Sequence, residues 1–577
     1  MRLKISESKN SKSLYVIRST YENGKHSSKV VERLGTYDEL KKTHDDPIAW
    51  AKEYIRKLNE QEKEEKREVI VRFKQSKHLT KDKQQHFYGG YLFLQSLYNQ
   101  LGFPKICQDI ASRYKFTYDL NSVLSRLIYT RILFPSSKKS SFEFAKNFLE
   151  APAFDQHQMY RALEALAEED DFIQSQLYAN SKKLGKRNDR ILYYDCTNFF
   201  FEIEQEDGIR KYGASKEHRP NPIVEMGLLM DGDGIPLAYC LHSGNTNEQT
   251  TLQPLEKKIL KDFDLSKFII CTDGGLSSLS NRKFNTRGER AFITTQSLKK
   301  MKEHLKDWSL DPKGWKLPNE STIYDLEQLM NLDPESAEYA TYYGKTFYKD
   351  RWINKNGLEQ HLIVTFSLKY KHYQQRIREQ QVQRATKAIE ANGAPLKKLG
   401  PNDYKRLVKR TNITPDGEVA AKELQALDYE RIAKEAQYDG FYAVCTSLDD
   451  SPADIIQLNK RRWEIEECFR IMKTEFKTRP VYLSRETRIR THFLTCFLSL
   501  TLYRYLEKKT NHDFTPRDLI QKLREMNFFQ LSSGDFVPTY TRTEITDRLH
   551  DAFGFRTDYE VLSETQMKKI LKATKKA

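Results

Sequence analysis

The sequence predicts an α/β protein whose core is preceded and followed by helical regions. Between residues 188 and 300, short apolar runs that are typical of buried strands alternate with a helix, and the same strand pattern returns after residue 440. Helical patterns dominate before residue 188 and after residue 490. We therefore predict one α/β core that is interrupted by a large insertion.

The composition indicates a folded protein with a polyanionic partner. The chain has 577 residues, of which 38% are hydrophobic and 31% charged, and its net charge is +16. A single domain takes roughly 100–200 residues, so this length allows several. The basic excess favours a partner rich in phosphate, but charge alone does not separate nucleic acid from an anionic membrane or from a merely soluble basic protein.

We expect a cytoplasmic protein that makes no contact with a membrane. The apolar stretch 493–503 is interrupted by polar residues and is shorter than the ~20 residues that span a bilayer. The N-terminus lacks the apolar centre of a secretory signal. The 7 cysteines form no C-x-x-C pair, so neither a zinc ribbon nor a disulfide framework is indicated.

Changes in pattern divide the chain into six predicted segments. Glu22, Asn23 and Gly24 predict a hairpin turn near the N-terminus, residues 231–234 predict a second hairpin, and residues 393–417 are typical of a loop. The short helices and basic loops of the second segment fit DNA binding or, equally well, an ordinary helical bundle. The predicted segments are a small α+β module (1–75), a helical region (76–187), the first part of the core (188–300), an insertion (301–439), the second part of the core (440–490) and a C-terminal helical region (491–577).

Two aspartates follow apolar runs of the predicted core. Asp195 comes after the run 190–194, and Asp273 comes after the run 267–272. We expect both at strand ends, with residues 199–203 as a further strand beside the first run. Taken singly, each aspartate is explained as a turn residue.

A helix near residue 466 carries a charged stripe beside an apolar one. At about 100° per residue, the charged stripe holds Arg462, Glu466, Arg470 and Lys473. The adjacent apolar stripe holds Ile465, Cys468, Phe469 and Met472. The helix is either a surface helix with an exposed Arg–Glu pair or the rim of a phosphate site.

Phosphoryl transfer explains the three carboxylates together. Magnesium prefers oxygen ligands, so Asp195, Asp273 and Glu466 are suitable metal ligands. Two ions can activate an attacking hydroxyl and stabilise the leaving oxygen. Arginine and lysine nearby can hold the phosphodiester.

The motifs in this order resemble those of DDE transposases from bacterial insertion sequences. The sequence contains YYDCTNFFFE around Asp195 and IICTDGGLSS around Asp273. Between them lie a GxSKxxRP block at 213–220, the predicted hairpin and the pair Gly244-Asn245. Arg462, Glu466 and Lys473 match R-x-x-x-E-x-x-x-x-x-x-K. The resemblance is to the subgroup with a tyrosine–arginine–glutamate–lysine motif.

The resemblance implies an RNase-H-like catalytic core and a mechanism. Asp195, Asp273 and Glu466 would bind two Mg²⁺ ions, with Mn²⁺ able to substitute. The enzyme would cleave DNA at the terminal inverted repeats of its element and join the ends to target DNA by cut-and-paste transposition. It would act as a homodimer on the DNA of the bacterial nucleoid. Some relatives stack a flipped base on a Trp of the insertion, for which Trp308, Trp315 and Trp352 are candidates, although core packing is the simpler role for each.

One position departs from the motif. Asn459 stands three residues before Arg462, where the family has a tyrosine that helps to hold a DNA-end phosphate. By the same resemblance, Arg462, Arg470, Lys473 and Asn459 are the predicted DNA-phosphate ligands. Two alternatives stay open, namely an RNase-H-like nuclease without strand transfer and an inactive DNA-binding protein derived from a transposase.

Overall fold

The structure is a computed structural model that describes residues 1–8, 11–22, 25–65, 70, 75–76, 78, 80–391, 403–413 and 419–576. The chain separates into two compact units, Met1–Lys83 and Gln84–Ala577. Asn23 and Gly24 of the predicted first turn lie outside the described residues, as do 393–402 and 414–417 of the predicted loop. The finer division into six segments stays a prediction.

The first unit is a three-stranded antiparallel sheet followed by two helices. Its strands are β1 (Arg2–Ser8), β2 (Ser11–Glu22) and β3 (Lys25–Thr36), and its helices are α1 (Tyr37–Lys41) and α2 (Pro47–Glu65). Pairing of β2 with β3 from Ser13↔Thr36 to Glu22↔Lys25 confirms the predicted hairpin. Thr36 begins α1 with a capping box, because its hydroxyl accepts from the backbone N–H of Glu39 while the Glu39 carboxylate accepts in return.

The second unit contains the remaining strands and helices. Its strands are β4 (His86–Tyr88), β5 (Ile191–Phe200), β6 (Ile223–Asp231), β7 (Pro236–Ser243), β8 (Ile269–Thr272), β9 (Ala291–Thr295), β10 (Phe347–Lys355), β11 (Leu358–Phe366), β12 (Val408–Ile413), β13 (Val419–Leu427), β14 (Phe441–Thr446), β15 (Asn527–Gln530) and β16 (Phe536–Pro538). Its helices before the insertion are α3 (Tyr91–Gln100), α4 (Phe103–Ala111), α5 (Leu120–Leu133), α6 (Lys138–Ala145), α7 (Gln156–Glu168), α8 (Asp170–Ser181), α9 (Leu252–Asp262) and α10 (Leu279–Phe284). The later helices are α11 (Glu303–Leu310), α12 (Leu326–Met330), α13 (Ala337–Tyr343), α14 (Leu368–Glu390), α15 (Tyr429–Ala436), α16 (Pro452–Lys460), α17 (Trp463–Thr474), α18 (Glu486–Lys509), α19 (Pro516–Glu525), α20 (Glu544–Phe553) and α21 (Glu564–Ala573).

An eight-stranded mixed sheet forms the centre of this unit, in the order β10-β11-β14-β9-β8-β5-β6-β7. Strands β5, β6 and β7 are antiparallel neighbours, whereas β8 runs parallel to β5 and β9 parallel to β8. The order β7-β6-β5-β8-β9 is that of an RNase-H-like core, which confirms the predicted fold class. The predicted hairpin over 231–234 is also confirmed, because β6 and β7 pair across it.

The insertion contributes two strands to this sheet. Strand β11 pairs with β14 from His361↔Thr446 to Phe366↔Phe441, and β10 pairs with β11 at the edge. Residues 339–348 begin in α13 and enter β10 only at Phe347. The reason lies at the start of α13, where the Ser336 hydroxyl accepts from the backbone N–H of Tyr339 and caps a helix.

Strand β5 differs from the prediction of two separate runs, because residues 191–200 form a single strand. Its antiparallel pairing with β6 continues from Leu192↔Asp231 to Phe200↔Ile223. Its parallel pairing with β8 ends at Tyr194↔Thr272. Asp195 therefore lies within a strand, and not at its end as predicted, but immediately beyond the point where the parallel ladder stops.

The long helix α18 lies against the helical region and the sheet. Its residues 493–503 are buried, and it contacts α3, α5, α7 and β7. Burial on all sides explains why apolar residues occur around the whole helix, while the hydroxyls of Thr495 and Thr501 donate to carbonyls one turn earlier. Across the described part of the chain, no helix has both the length and the apolar character that crossing a bilayer requires.

Candidate active site

Asp195 and Asp273 lie side by side at the centre of the sheet. The parallel ladder between the neighbouring strands β5 and β8 ends at the pair Tyr194↔Thr272. Asp195 and Asp273 are the next residues along the two strands. Neighbouring strands are about 4.8 Å apart, so the two aspartates lie next to each other at the edge where the parallel ladder of β5 and β8 stops. Each carboxylate accepts from the backbone N–H of the following residue, at 2.8 Å for Asp195 and 2.7 Å for Asp273.

Helix α17 brings Glu466 to this edge. Ile465, Cys468, Phe469 and Met472 are buried, which confirms the predicted apolar face. The adjacent face exposes Glu466, whose side chain is 63% accessible. The helix thus docks on the hydrophobic core and holds its charged stripe at the open side of the sheet.

Arg462 lies between two of the three acids. Its Nη2 is 3.8 Å from Asp273 Oδ1, and its Nη1 is 3.9 Å from Glu466 Oε1. Burial lowers the pKa of Arg462, but the charges nearby raise it by more, so the net shift is upward. The groups that raise it are Asp273, Tyr442, Asp195 and Glu466. Arg462 therefore links Asp273 and Glu466 through the two ends of its guanidinium.

Asp195 is the most deeply placed of the three acids. Burial raises its pKa to about 6, and Asp273 adds to this shift, whereas Lys216 and Arg462 oppose it. A further cation beside Asp195 would lower the pKa of this carboxyl, because a nearby positive charge favours the ionised form.

The donor set suits a hard divalent cation. The acids at the sheet edge offer only oxygen, and the neighbouring Cys196 thiol is buried against Tyr194 and Thr251. Oxygen-only ligands select magnesium or manganese over softer metals. Asp273 and Glu466 are separated by Arg462, and the ligand atoms of the three acids do not all lie within 4.8 Å of one another.

A tighter acidic group lies elsewhere in the described part of the chain. Ligand atoms of Asp547, His550 and Asp558 all lie within 4.8 Å of one another. Arg542 and Arg556 already pair with both aspartates, at 2.7–3.4 Å. We interpret this group as an ion-pair network within the C-terminal helices.

The predicted phosphate ligands Lys473, Arg470 and Asn459 have three different environments. Lys473 lies beside β5, where its Nζ donates to Thr197 Oγ1 at 2.6 Å. Arg470 is instead 57% accessible and pairs with Glu467 at 2.9 Å. Asn459 is buried and donates from Nδ2 to the Tyr442 hydroxyl at 3.2 Å.

Several charged residues of this region escaped the sequence reasoning. Lys216 belongs to the block at 213–220, and its ammonium lies 3.0 Å from Glu248 and donates to the Cys196 carbonyl. Glu225 faces Asn198 across the β5–β6 pairing, and burial raises its pKa to about 8. The GxSKxxRP spacing was a signal for Lys216, but no local pattern marks Glu225.

The three tryptophans of the insertion have different environments. Trp315 is fully buried and donates from Nε1 to the Asp311 carbonyl, which confirms core packing. Trp308 has Lys349 and Arg351 against its face, at 5.0 and 5.3 Å. Trp352 is 42% exposed and stacks on His361 at 5.1 Å.

A family model described as "Transposase DDE domain" matches residues 187–502, which is more than half of the chain. The chain belongs to this transposase family. It is therefore a DNA transposase, an enzyme that cleaves DNA and transfers strands with the help of divalent metal ions. The matched range contains the sheet edge, Arg462 and all three acids described above.

Comparison with solved structures gives a similarity to another transposase. A cryo-EM structure of a piggyBac transposase synaptic complex with hairpin DNA is 9% identical, covers 84% of this chain and 85% of its own, and has a TM-score of 0.35. No curated protein matches the transposase.

Proposed function

We propose that this transposase holds two Mg²⁺ ions with Asp195, Asp273 and Glu466 and uses them for cut-and-paste transposition. The observation that carries the proposal is the placement of Arg462, within 4 Å of both Asp273 and Glu466 at the edge where Asp195 emerges. Bound at these acids, the ions would activate the attacking oxygen and stabilise the leaving one, and Mn²⁺ would substitute.

The protein's own cations neutralise the negative charge of the three acids only in part. Asp273 and Glu466 share one guanidinium, and Asp195 has a raised pKa despite Lys216 nearby. Hard cations at this edge would complete the neutralisation, so the resting arrangement favours metal binding.

The charged residues around the acids suit a DNA strand. Lys473 is fixed beside Thr197, two residues after Asp195, so its charge lies next to the reacting site. We assign Arg462, Lys473, Arg470 and Asn459 to the phosphates of the element end. Recognition of terminal inverted repeats falls to the helical region 76–187, and two ends would be bridged by a homodimer.

The test is cleavage of a DNA fragment that carries the native element end, with target DNA present. We expect Mg²⁺-dependent cleavage and joining by the wild type, and loss of both in Glu466→Gln with DNA binding retained. Glu486→Gln is the matched control, because Glu486 is 44% accessible and pairs with Arg490 on α18, away from the assigned phosphate ligands.

The products separate the competing functions. Cleaved and joined DNA supports the transposition cycle. Cleavage without joining would identify a nuclease of the same fold. Binding without cleavage by the wild type would identify a DNA-binding protein that has lost the reaction, and would contradict the proposal.

A further inference from the structure

Glu217 is surrounded by three cations close to the catalytic edge. Its carboxylate lies 3.8 Å from Lys473 Nζ and 3.7 Å from Arg219 Nε, and it contacts the guanidinium of Arg479. Its side chain is 24% accessible. One carboxylate is therefore shared by three cations, so Glu217 and its three partners together carry a net positive charge.

The three cations are held by side chains of β5 as well as by Glu217. Lys473 donates to Thr197 and lies 5.5 Å from the centre of the Phe199 ring. Arg219 and Arg479 lie over the Phe200 ring, at 4.2 and 5.8 Å from its centre. Cation–π contacts of this kind hold a guanidinium in place without neutralising its charge. The cations thus keep a position of their own when Glu217 is absent.

A carboxylate and a DNA phosphodiester present the same features to such a group. Each carries one negative charge on two terminal oxygens, and an arginine fork can bind both oxygens at once. Glu217 lies in a turn outside any helix or strand, so its side chain can leave without breaking a ladder or a helix.

We propose that Lys473, Arg479 and Arg219 form a phosphodiester-binding site for a DNA strand beside the catalytic acids, and that Glu217 occupies this site until DNA displaces it. The inference rests on the proposed function and deepens it by assigning Arg479, Arg219 and Glu217 a role in DNA binding. In the free enzyme the Glu217 carboxylate occupies the site, and in the complex a phosphate takes its place among the three cations.

The experiment measures binding of a short duplex of mixed sequence to the full-length protein, without divalent metal, over a series of salt concentrations. Removing the competing charge in Glu217→Gln is expected to tighten binding on the order of tenfold, because like charges at a binding site oppose association. Arg479→Gln and Arg219→Gln are each expected to weaken binding and to lower the slope of log K against log salt by about one.

The matched control is Glu164→Gln. Glu164 also pairs with two arginines, Arg485 at 3.2 Å and Arg488 at 3.4 Å, but has no contact with the cations around Glu217. We expect its affinity for the duplex to stay within about twofold of wild type, as for surface ion pairs.

Unchanged or weaker binding by a folded Glu217→Gln would overturn the displacement of Glu217 by DNA. If thermal melting shows that this variant is unfolded, the arginine variants decide, since an unchanged salt slope in both would exclude the site. The metal-free assay is independent of cleavage. A protein that fails to cut DNA yet shows these binding changes would refute the proposed reaction and leave the site intact.

Discussion

Asn459 donates a hydrogen bond from its side-chain amide to the hydroxyl of Tyr442, at 3.2 Å. The same hydroxyl shares a 2.7 Å hydrogen bond with Thr295 Oγ1. Tyr442 lies on β14, and its field acts on Arg462. A phenolic hydroxyl is therefore present beside Arg462 although the motif position itself holds asparagine.

We expect Tyr442 to contact a phosphate of the element end. Tyr442→Phe should slow end cleavage by at least about tenfold, because losing a hydrogen bond to a charged group costs roughly 1.5–3 kcal/mol. Tyr429→Phe is the control, since Tyr429 is 72% exposed on α15. Equal cleavage rates for Tyr442→Phe and wild type would show that the hydroxyl only supports Asn459.

Arg462 should not tolerate replacement by lysine. Its two terminal nitrogens approach two different acids, and an ammonium group is a single point charge that lacks this fork. We expect Arg462→Lys to reduce the cleavage rate by at least about tenfold, which corresponds to roughly 1.4 kcal/mol. Arg461→Lys provides the comparison, because Arg461 is the preceding residue, is 43% accessible and pairs with Glu464 at 3.0 Å. A full rate in Arg462→Lys would mean that its charge alone matters.

The hairpin turn between β6 and β7 depends on a buried ion pair. Asp231 accepts from Arg187 Nε at 2.6 Å, and its other oxygen accepts from the backbone N–H groups of Asp233 and Ile235. Asp231→Asn would leave a buried guanidinium without its counter-charge, so we expect a loss of about 3–5 kcal/mol in the free energy of unfolding by urea. Asp207→Asn should cost less than about 1 kcal/mol, because Asp207 is 65% accessible in its pair with Arg210. Similar losses in both variants would contradict this reasoning.

Glu256 makes stability depend on pH. It is fully buried on α9, and burial raises its pKa from 4.5 to about 7, although Asn285 donates to it at 2.7 Å. A raised pKa means that the folded state binds the proton more tightly than the unfolded state. The stabilisation is present below the unfolded pKa and is lost as pH rises towards 7.

Glu256→Gln should therefore gain stability relative to wild type between pH 5 and pH 8, by about 2 kcal/mol. Unfolding by urea at both pH values measures this difference. Glu303→Gln, whose side chain in the parent is 77% accessible, should show no such change. A wild type and Glu256→Gln that respond equally to pH would refute the raised pKa.

The sequence by itself determined the features that depend on local periodicity. The stripe of Arg462, Glu466 and Lys473 beside an apolar face follows from helical geometry, and the turn at 231–234 follows from its glycines and aspartates. The apolar runs before Asp195 and Asp273 were enough to predict two buried core strands, because buried parallel strands are apolar on both faces.

Only the tertiary structure decided which strands and side chains meet. Strand β5 runs on past Asp195 because β6 continues to pair with it, and β10 and β11 join the sheet because β14 offers an open edge. The contacts of Tyr442 with Asn459 and of Glu217 with Arg479 join residues that have no common local pattern. Such contacts depend on hydrogen-bonding and charge partners that are distant in sequence, and periodicity within a single segment carries no information about them.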